Sequence, residues 1–552
     1  MKLNRIIALA LAAALLVCGC ALAAEKEKYV NTPEEIAKAK EWADTLDPRT
    51  YDTHITIELA CQDLKDNVDY QKGDVLGQWY TEHFNIDWDL VAIPTANAND
   101  KIRTMINSGE APDVLRWNDF IVNEVTTYID QELFYRFPDD WKQRWPHLAA
   151  MQAKVPAAAV LEQKMGGTYA ILRATYYHYY PYDKIYNHHS AYLRRDWADA
   201  VGFPIKDAYT PSEIMEYARL IKEKDPGNVG DKLIPLTADT GNFLGLFIGS
   251  TYPRYCQVYR GTDGRYHWGF EDEETLKYLK LFKQAFDEGL ISREFYTISN
   301  DDARNLYCIS GISGGWIGAG SVPHDVHQHF RDDLGLTDDN WHMAAIVGED
   351  GFYHDNESSN MWGGTYFSGD IDPAVFERMM DIMDFAMSDE GLDLRCNGFQ
   401  YCDWKYDEKG VRVPIFDPEK YQSSSRSETS WPLYDLMAGC GDDNGWNPDP
   451  VFKDSESTLW YRYAKKIADA KRAHEKEDSI IPTDWNIFGF SSDTQAMLTS
   501  INYSSLCANI LTSKDIEAAW KQAIAENRFI VDPALAELNE KFGGQPAGSG
   551  QA

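Results

Sequence analysis

Residues 311–315 read Gly-Ile-Ser-Gly-Gly, a G-x-S-x-G spacing that on a strand-turn-helix would expose Ser313 as a nucleophile. The setting argues against that chemistry, because Gly314, Gly315, Gly318, Gly320 and Pro323 follow and break the helix such an elbow needs. Paired carboxylates for glycoside cleavage carry no signal either: among 87 acids some pair can always be nominated. Neither H-E-x-x-H nor a P-loop occurs. What recurs is an aromatic ring beside polar groups or glycines in turn-rich stretches. These are Arg116-Trp117-Asn118-Asp119, Gly314-Gly315-Trp316-Ile317-Gly318, Asn360-Met361-Trp362-Gly363-Gly364, Asn444-Gly445-Trp446-Asn447, and the cluster Tyr176, Tyr177, Tyr179 and Tyr180. Sugars present hydroxyls and flat C–H faces, so aromatic plates with forked polar partners suit them. Each ring also has a plain reading as packing, and for Trp117 taken alone packing leads, since Trp is highly buried on average. Arg195-Asp196 adds a five-donor fork for hydroxyls or a uronate, with a structural ion pair as the equal alternative.

The elements that position these residues belong to a chain of 552 residues, too long for one core, so two lobes are expected. Lys plus Arg number 53 against 87 acids, a net charge of −34 that repels phosphate backbones, so nucleic acid is excluded as a partner. Met1-Lys2-Leu3-Asn4-Arg5 leads into an apolar run from Ile6 to Val17, too short to span a membrane and shaped like an export signal. Seven cysteines remain beyond Cys18 and Cys20, an odd number with no C-x-x-C pair. Cys396 and Cys402 could bridge, but buried free thiols are the leading reading.

Alternating strand and helix signals predict α/β architecture. His54–Ala60 reads as a strand, Val75–His83 as a helix, and Ile86, Trp88, Leu90 and Ala92 as one face of the next strand. Thr210-Pro211-Ser212-Glu213 combines an N-cap, a first-turn Pro and a capping-box Glu ahead of the stripe Ile214, Tyr217, Ala218 and Ile221. Asp372-Pro373 starts another helix with Phe376, Met379, Met380 and Met383 buried. Repeats, the mark of a structural surface protein, are absent.

The run Lys101–Val114, with its Ser-Gly-x-x-Pro-Asp-hydrophobic end, resembles the family 1 extracellular solute-binding proteins of ABC transporters. Tyr128–Phe134, Gly167–Ile171, Tyr192–Trp197, Phe282–Phe295, Gly311–Gly320 and Met387–Gly391 follow in the order of that family. The resemblance covers about His54 to Phe542 and points to the oligosaccharide-binding lipoprotein subgroup, more distantly to maltose-binding protein. It implies a two-lobed, type II periplasmic-binding-protein-like fold with a cleft between lobes joined by hinge segments. It implies an ABC-importer component that captures an oligosaccharide, hands it to permease subunits, works as a monomer and catalyses nothing. A secreted carbohydrate-active hydrolase and a binder of peptide or other solute are the alternatives.

By the same resemblance Trp117 and Asp119 face the ligand, Gly314–Gly318 brings Trp316 into the cleft, and Arg195 braces it. Trp362, Trp446 and Tyr179 complete the expected ligand set. Val17-Cys18-Gly19-Cys20 resembles a lipobox, which makes Cys20 the lipidated residue and the outer face of the cell membrane the location; Ala21-Leu22-Ala23 is a competing cleavage site. Many relatives carry a calcium loop where Lys224–Leu233 is shortened and has Val229 at an oxygen position, so no metal and no cofactor are expected. The expected division is signal peptide 1–19, tether 20–50 with a short helix, first lobe 51–175 and 361–410, second lobe 176–360 and 411–543, and a disordered tail 544–552.

Overall fold

A computed structural model describes residues 27–543 except 63, 65–67, 69, 71–72, 95–97, 118–121, 175–188, 321, 358–360, 419, 424, 426–450, 453–455, 485–493, 495–496 and 499. The elements used below are, in chain order, α1 (Pro33–Ala43), β1 (Ile55–Gln62), β2 (Ile86–Ile93), α2 (Ala98–Ser108), β3 (Val114–Trp117), β4 (Ala170–Ala174), β5 (Ser190–Arg194), α3 (Arg195–Val201), β6 (Ala208–Tyr209) and α4 (Pro211–Lys224). They continue with β7 (Gly315–Gly318), β8 (Trp341–Ile346), β9 (Asp355–Asn356), β10 (Met361–Phe367), α5 (Pro373–Ala386), α6 (Glu456–Ala473), β11 (Ile480–Ile481) and α7 (Ile516–Phe542).

Two sheets organise the chain. The first has the order β2-β1-β3-β10-β4, the second β7-β5-β8-β6. In β1 the buried Ile55, Ile57 and Leu59 alternate with exposed Thr56 and Glu58, the period-two pattern of a strand with one buried face. β1 runs parallel to β2 and β3, whereas β10 returns antiparallel between β3 and β4. The second sheet is buried on both faces. Ala191, Leu193, Ile317, Ala344 and Ile346 join the core under α4 and α7. Their alternates Tyr192, Trp316, Trp341, Met343 and Ala345 join a separate core with Ala464, Ile467 and Ala468 of α6.

The helix signals hold. Thr210 Oγ1 accepts the Glu213 N–H at 3.3 Å and Glu213 Oε2 accepts the Thr210 N–H at 3.0 Å, closing the capping box of α4. Its stripe Ile214, Tyr217, Ala218 and Ile221 is fully buried, as is Phe376, Met379, Met380 and Met383 on α5.

Two expectations about organisation are corrected. α1, expected in the tether, packs on the first lobe instead: Ala39 and Ala43 lie fully inside its core, and Asp44 Oδ1 accepts the Trp79 indole N–H at 2.9 Å. Small residues on an otherwise charged helix let it dock closely. Past residue 411 the chain has not yet moved to the second lobe. Phe416, Val451 and Phe452 cluster with Trp404, and Ser425 O accepts the Leu76 N–H at 3.0 Å. Second-lobe packing resumes at α6. The signal segment, Cys20 and the tail lie outside the described residues.

Candidate functional site

Among the described residues the chain changes from one sheet's lobe to the other three times. β4 leaves the first sheet at Ala174, in register with Met361 at the start of β10. β5 begins at Ser190, opposite Gly318 at the end of β7 and Ala345 near the end of β8. The second passage runs from β9 to β10, and the third from Phe452 to α6. In open α/β sheets, ligands bind in the crevice outside the carboxyl ends of strands where connections diverge. In the first sheet those ends are Gln62, Ile93, Trp117 and Ala174; in the second they are Gly318, Ile346 and Tyr209.

Trp117 ends β3 at this edge. It is fully buried, with Tyr128 and Tyr366 each 6.1 Å from its ring and the Arg103 guanidinium 5.7 Å from the centroid. Its indole N–H finds no hydrogen-bond acceptor among the described residues.

Trp316 sits mid-strand, fully buried, with the Tyr192 ring 4.8 Å away and Tyr307, Phe330 and Trp341 in the same core. A Cβ at Gly318 would meet the Trp316 ring at 2.0 Å. That glycine makes room for the indole, not for a ligand. Strand alternation turns Trp316 toward α6, which corrects the expected cleft-facing plate.

Arg195 is exposed at the start of α3, at the end of β5 away from Ser190. The ion pair belongs to its neighbour: Arg194 holds Asp196 at 2.8 and 2.5 Å and lies 4.4 Å over Trp197. Arg195 therefore does not brace the crossing edge. Trp362 lies in β10, one residue from the Ala174 register, beside a bulge between Met361 and Gly364; its side chain lies outside the described residues, as do Asp119, Tyr179 and Trp446.

Ser313 is fully buried, its hydroxyl donating to Gly315 O at 2.8 Å, and the chain continues into β7 rather than a helix. The nucleophile-elbow geometry is absent there. Asp225, in the shortened loop, accepts the N–H groups of Val229 and Gly230 at 2.9 and 2.8 Å. Among the described residues no three His, Cys, Asp or Glu side chains converge as a metal site. Cys396 and Cys402 are buried and unbridged.

A groove of about 790 Å³ runs between β6 and α6, floored by Ala208, Val347 and Ala470. On its sheet side, His342 Nε2 donates to Lys206 O at 2.7 Å, leaving Nδ1 to accept from Lys466 at 3.4 Å. Burial, then the Lys466 charge, pushes the His342 pKa down to about 4, so the ring is neutral.

Sequence reasoning missed Lys471. Ala464, Ile467, Ala468 and Lys471 share one helical stripe at spacings of three and four, and that periodicity places a lysine in the core.

The fold is that of the extracellular solute-binding proteins. The chain resembles one from Bifidobacterium longum subsp. infantis with a TM-score of 0.62 and 15% identity, over 89% of this chain and 98% of that one. In sequence it is 22% identical over 237 residues to the polygalacturonan/rhamnogalacturonan-binding protein YtcQ of Bacillus subtilis, covering 42% of this chain and 44% of YtcQ. It is 24% identical over 268 residues to lipoprotein LipO of the same organism, covering 46% and 48%. The matches thus span about half the length of these curated relatives. No family model matches the chain.

Proposed function

We propose that this chain is the extracytoplasmic solute-binding component of an ABC importer, capturing an oligosaccharide between its lobes and delivering it to a permease without catalysing a reaction. The observation that carries this reading is the architecture: two separately cored sheets joined by three passages, with strand ends facing the joined edge. Support for a sugar ligand comes from YtcQ, whose name records polysaccharide binding. The ligand binds one lobe, recruits the second and stabilises the closed form. Trp117, Asp119, Tyr179, Trp362 and Trp446 are the candidates for contact, since Trp316 is committed to the core and Arg195 points elsewhere. Cys20 lipidation would hold the protein at the outer membrane face, in keeping with the lipoprotein LipO.

A thermal-shift screen of the purified chain against an oligosaccharide panel tests the reading, because a ligand that binds only the folded state raises the melting temperature. At least one oligosaccharide should raise it; a panel without effect, or products released from the panel, would overturn the proposal. Fatty-acid labelling should mark the wild type and not Cys20→Ser.

A further inference from the structure

Lys471, on the last full turn of α6, is 2% exposed. Few ammonium groups are held that far from water, because removing a charge from solvent is costly unless partners replace the hydration shell. The partners here come from separate passages between the lobes. Lys471 Nζ donates to the carbonyl of His189, the residue immediately before β5, at 3.2 Å. The same ammonium lies 4.9 Å over the ring of Tyr353, just ahead of β9, and Asp355 in β9 draws on its charge. Tyr353 OH donates to Asp355 Oδ2 at 2.5 Å, and its backbone N–H donates to His474 O, one residue beyond α6, at 2.8 Å.

The second passage is clamped further by the segment after α6. β9 pairs in parallel with β11, Asp355 opposite Ile480 and Asn356 opposite Ile481. The Glu357 N–H donates to Ile481 O at 2.7 Å, and Thr483 Oγ1 donates to Glu357 O at 3.1 Å. α6 is itself the first element after the third passage. One cation therefore touches the arrival of the first passage and the departure of the second, from a helix that receives the third.

We propose that Lys471 is a positioning residue that locks the second-lobe ends of the interlobe passages into one rigid unit and so sets the geometry about which the lobes move. A methionine of similar length would fill the space without donating a hydrogen bond or attracting Asp355 and the Tyr353 π face. An apolar core at this place would then pack well and yet leave the passages free to shift against one another. The proposal rests on the solute-capture reading for its biological meaning, but its geometry is independent of any ligand.

The test is hydrogen exchange of the ligand-free full chain, comparing wild type with Lys471→Met, Lys471→Arg and Asp355→Asn, with small-angle scattering on the same samples. In Lys471→Met, amides of residues 352–357 and 479–483 should exchange about tenfold faster, while those of β5 and β8 keep wild-type rates. The radius of gyration should shift in Lys471→Met and stay at the wild-type value in Lys471→Arg. Asp355→Asn, which keeps the lysine and the fold, should accelerate the same two segments to a smaller extent. Unchanged exchange in both Lys471→Met and Asp355→Asn would overturn the proposal. So would acceleration spread evenly through β5 and β8, which is what plain core damage produces. If the segments respond as expected and no oligosaccharide binds, the positioning role stands and the functional reading falls.

Discussion

β3 and β7 each carry a fully buried tryptophan, one in each lobe, and each lies in a stretch where aromatic and glycine or polar residues alternate. Trp117 is the last residue of its strand, at the edge where the passages leave; among the described residues neither its indole N–H nor that of Trp316 meets an acceptor. Trp316 is the second of four buried residues in a strand covered on both faces, held under Tyr192 and over Gly318. Residue type is the same; position along the strand differs. A ring at a strand's carboxyl end needs only a small loop rearrangement to meet a ligand, whereas a ring in mid-strand is fixed by two layers of helices.

Emptying the Trp316 site should cost the most. Trp316→Ala should lower unfolding free energy by roughly 3 to 5 kcal/mol, the usual result of emptying a large buried aromatic site. Denaturant unfolding measures it, and a variant of wild-type stability with lost sugar affinity would return Trp316 to the cleft.

The next effect concerns the cation beneath the same layer. Burial pushes the pKa of Lys471 from 10.5 down to about 8, with Asp355 pulling the other way. Between those values the folded chain holds fewer protons at this site than the unfolded chain, so stability from this group rises with pH across the window. The penalty is fully present below pH 8 and is relieved by pH 10.5. Tyrosines with raised pKa act oppositely in this range, so the informative quantity is the difference between wild type and Lys471→Met. Wild type should gain about 3 kcal/mol of stability relative to Lys471→Met between pH 8 and 10.5. A constant difference would contradict the burial of the charge.

On the Trp117 side, replacing the indole by a benzyl ring keeps most of the packing and removes the N–H. Trp117→Phe should leave the unfolding midpoint close to wild type and weaken binding of a sugar found by the thermal-shift screen about tenfold, equivalent to about 1.4 kcal/mol. Unchanged affinity would make Trp117 another packing residue like Trp316. The smallest effect serves as a control distant from both rings: Thr210→Ala removes the cap of α4 and should cost about 1 kcal/mol of stability, with affinity untouched.

Much of this was legible in the sequence where local chemistry decides the outcome. The Thr210 box, the α5 methionine stripe and the Val75–His83 helix are set by capping and by 3.6-residue periodicity, which neighbours reinforce. The site was less legible, because Trp316 and Trp117 look alike until the register of β7 against Tyr192 is known. The docking of α1 was hidden by its charged composition, since two alanines suffice to bury one face. The late departure from the first lobe, at Phe452 rather than near residue 410, leaves no local mark, because it depends on Phe416, Val451 and Phe452 meeting Trp404 from distant parts of the chain. Lys471 could have been found: its place on the Ala464, Ile467 and Ala468 stripe is a periodicity signal that its charge obscured.

If one oligosaccharide is held by both lobes, small-angle scattering during titration with a sugar from the screen registers the closure. The radius of gyration should fall as the sites fill and level off at saturation, as two lobes close on one ligand. A radius of gyration that stays constant while binding saturates would contradict it.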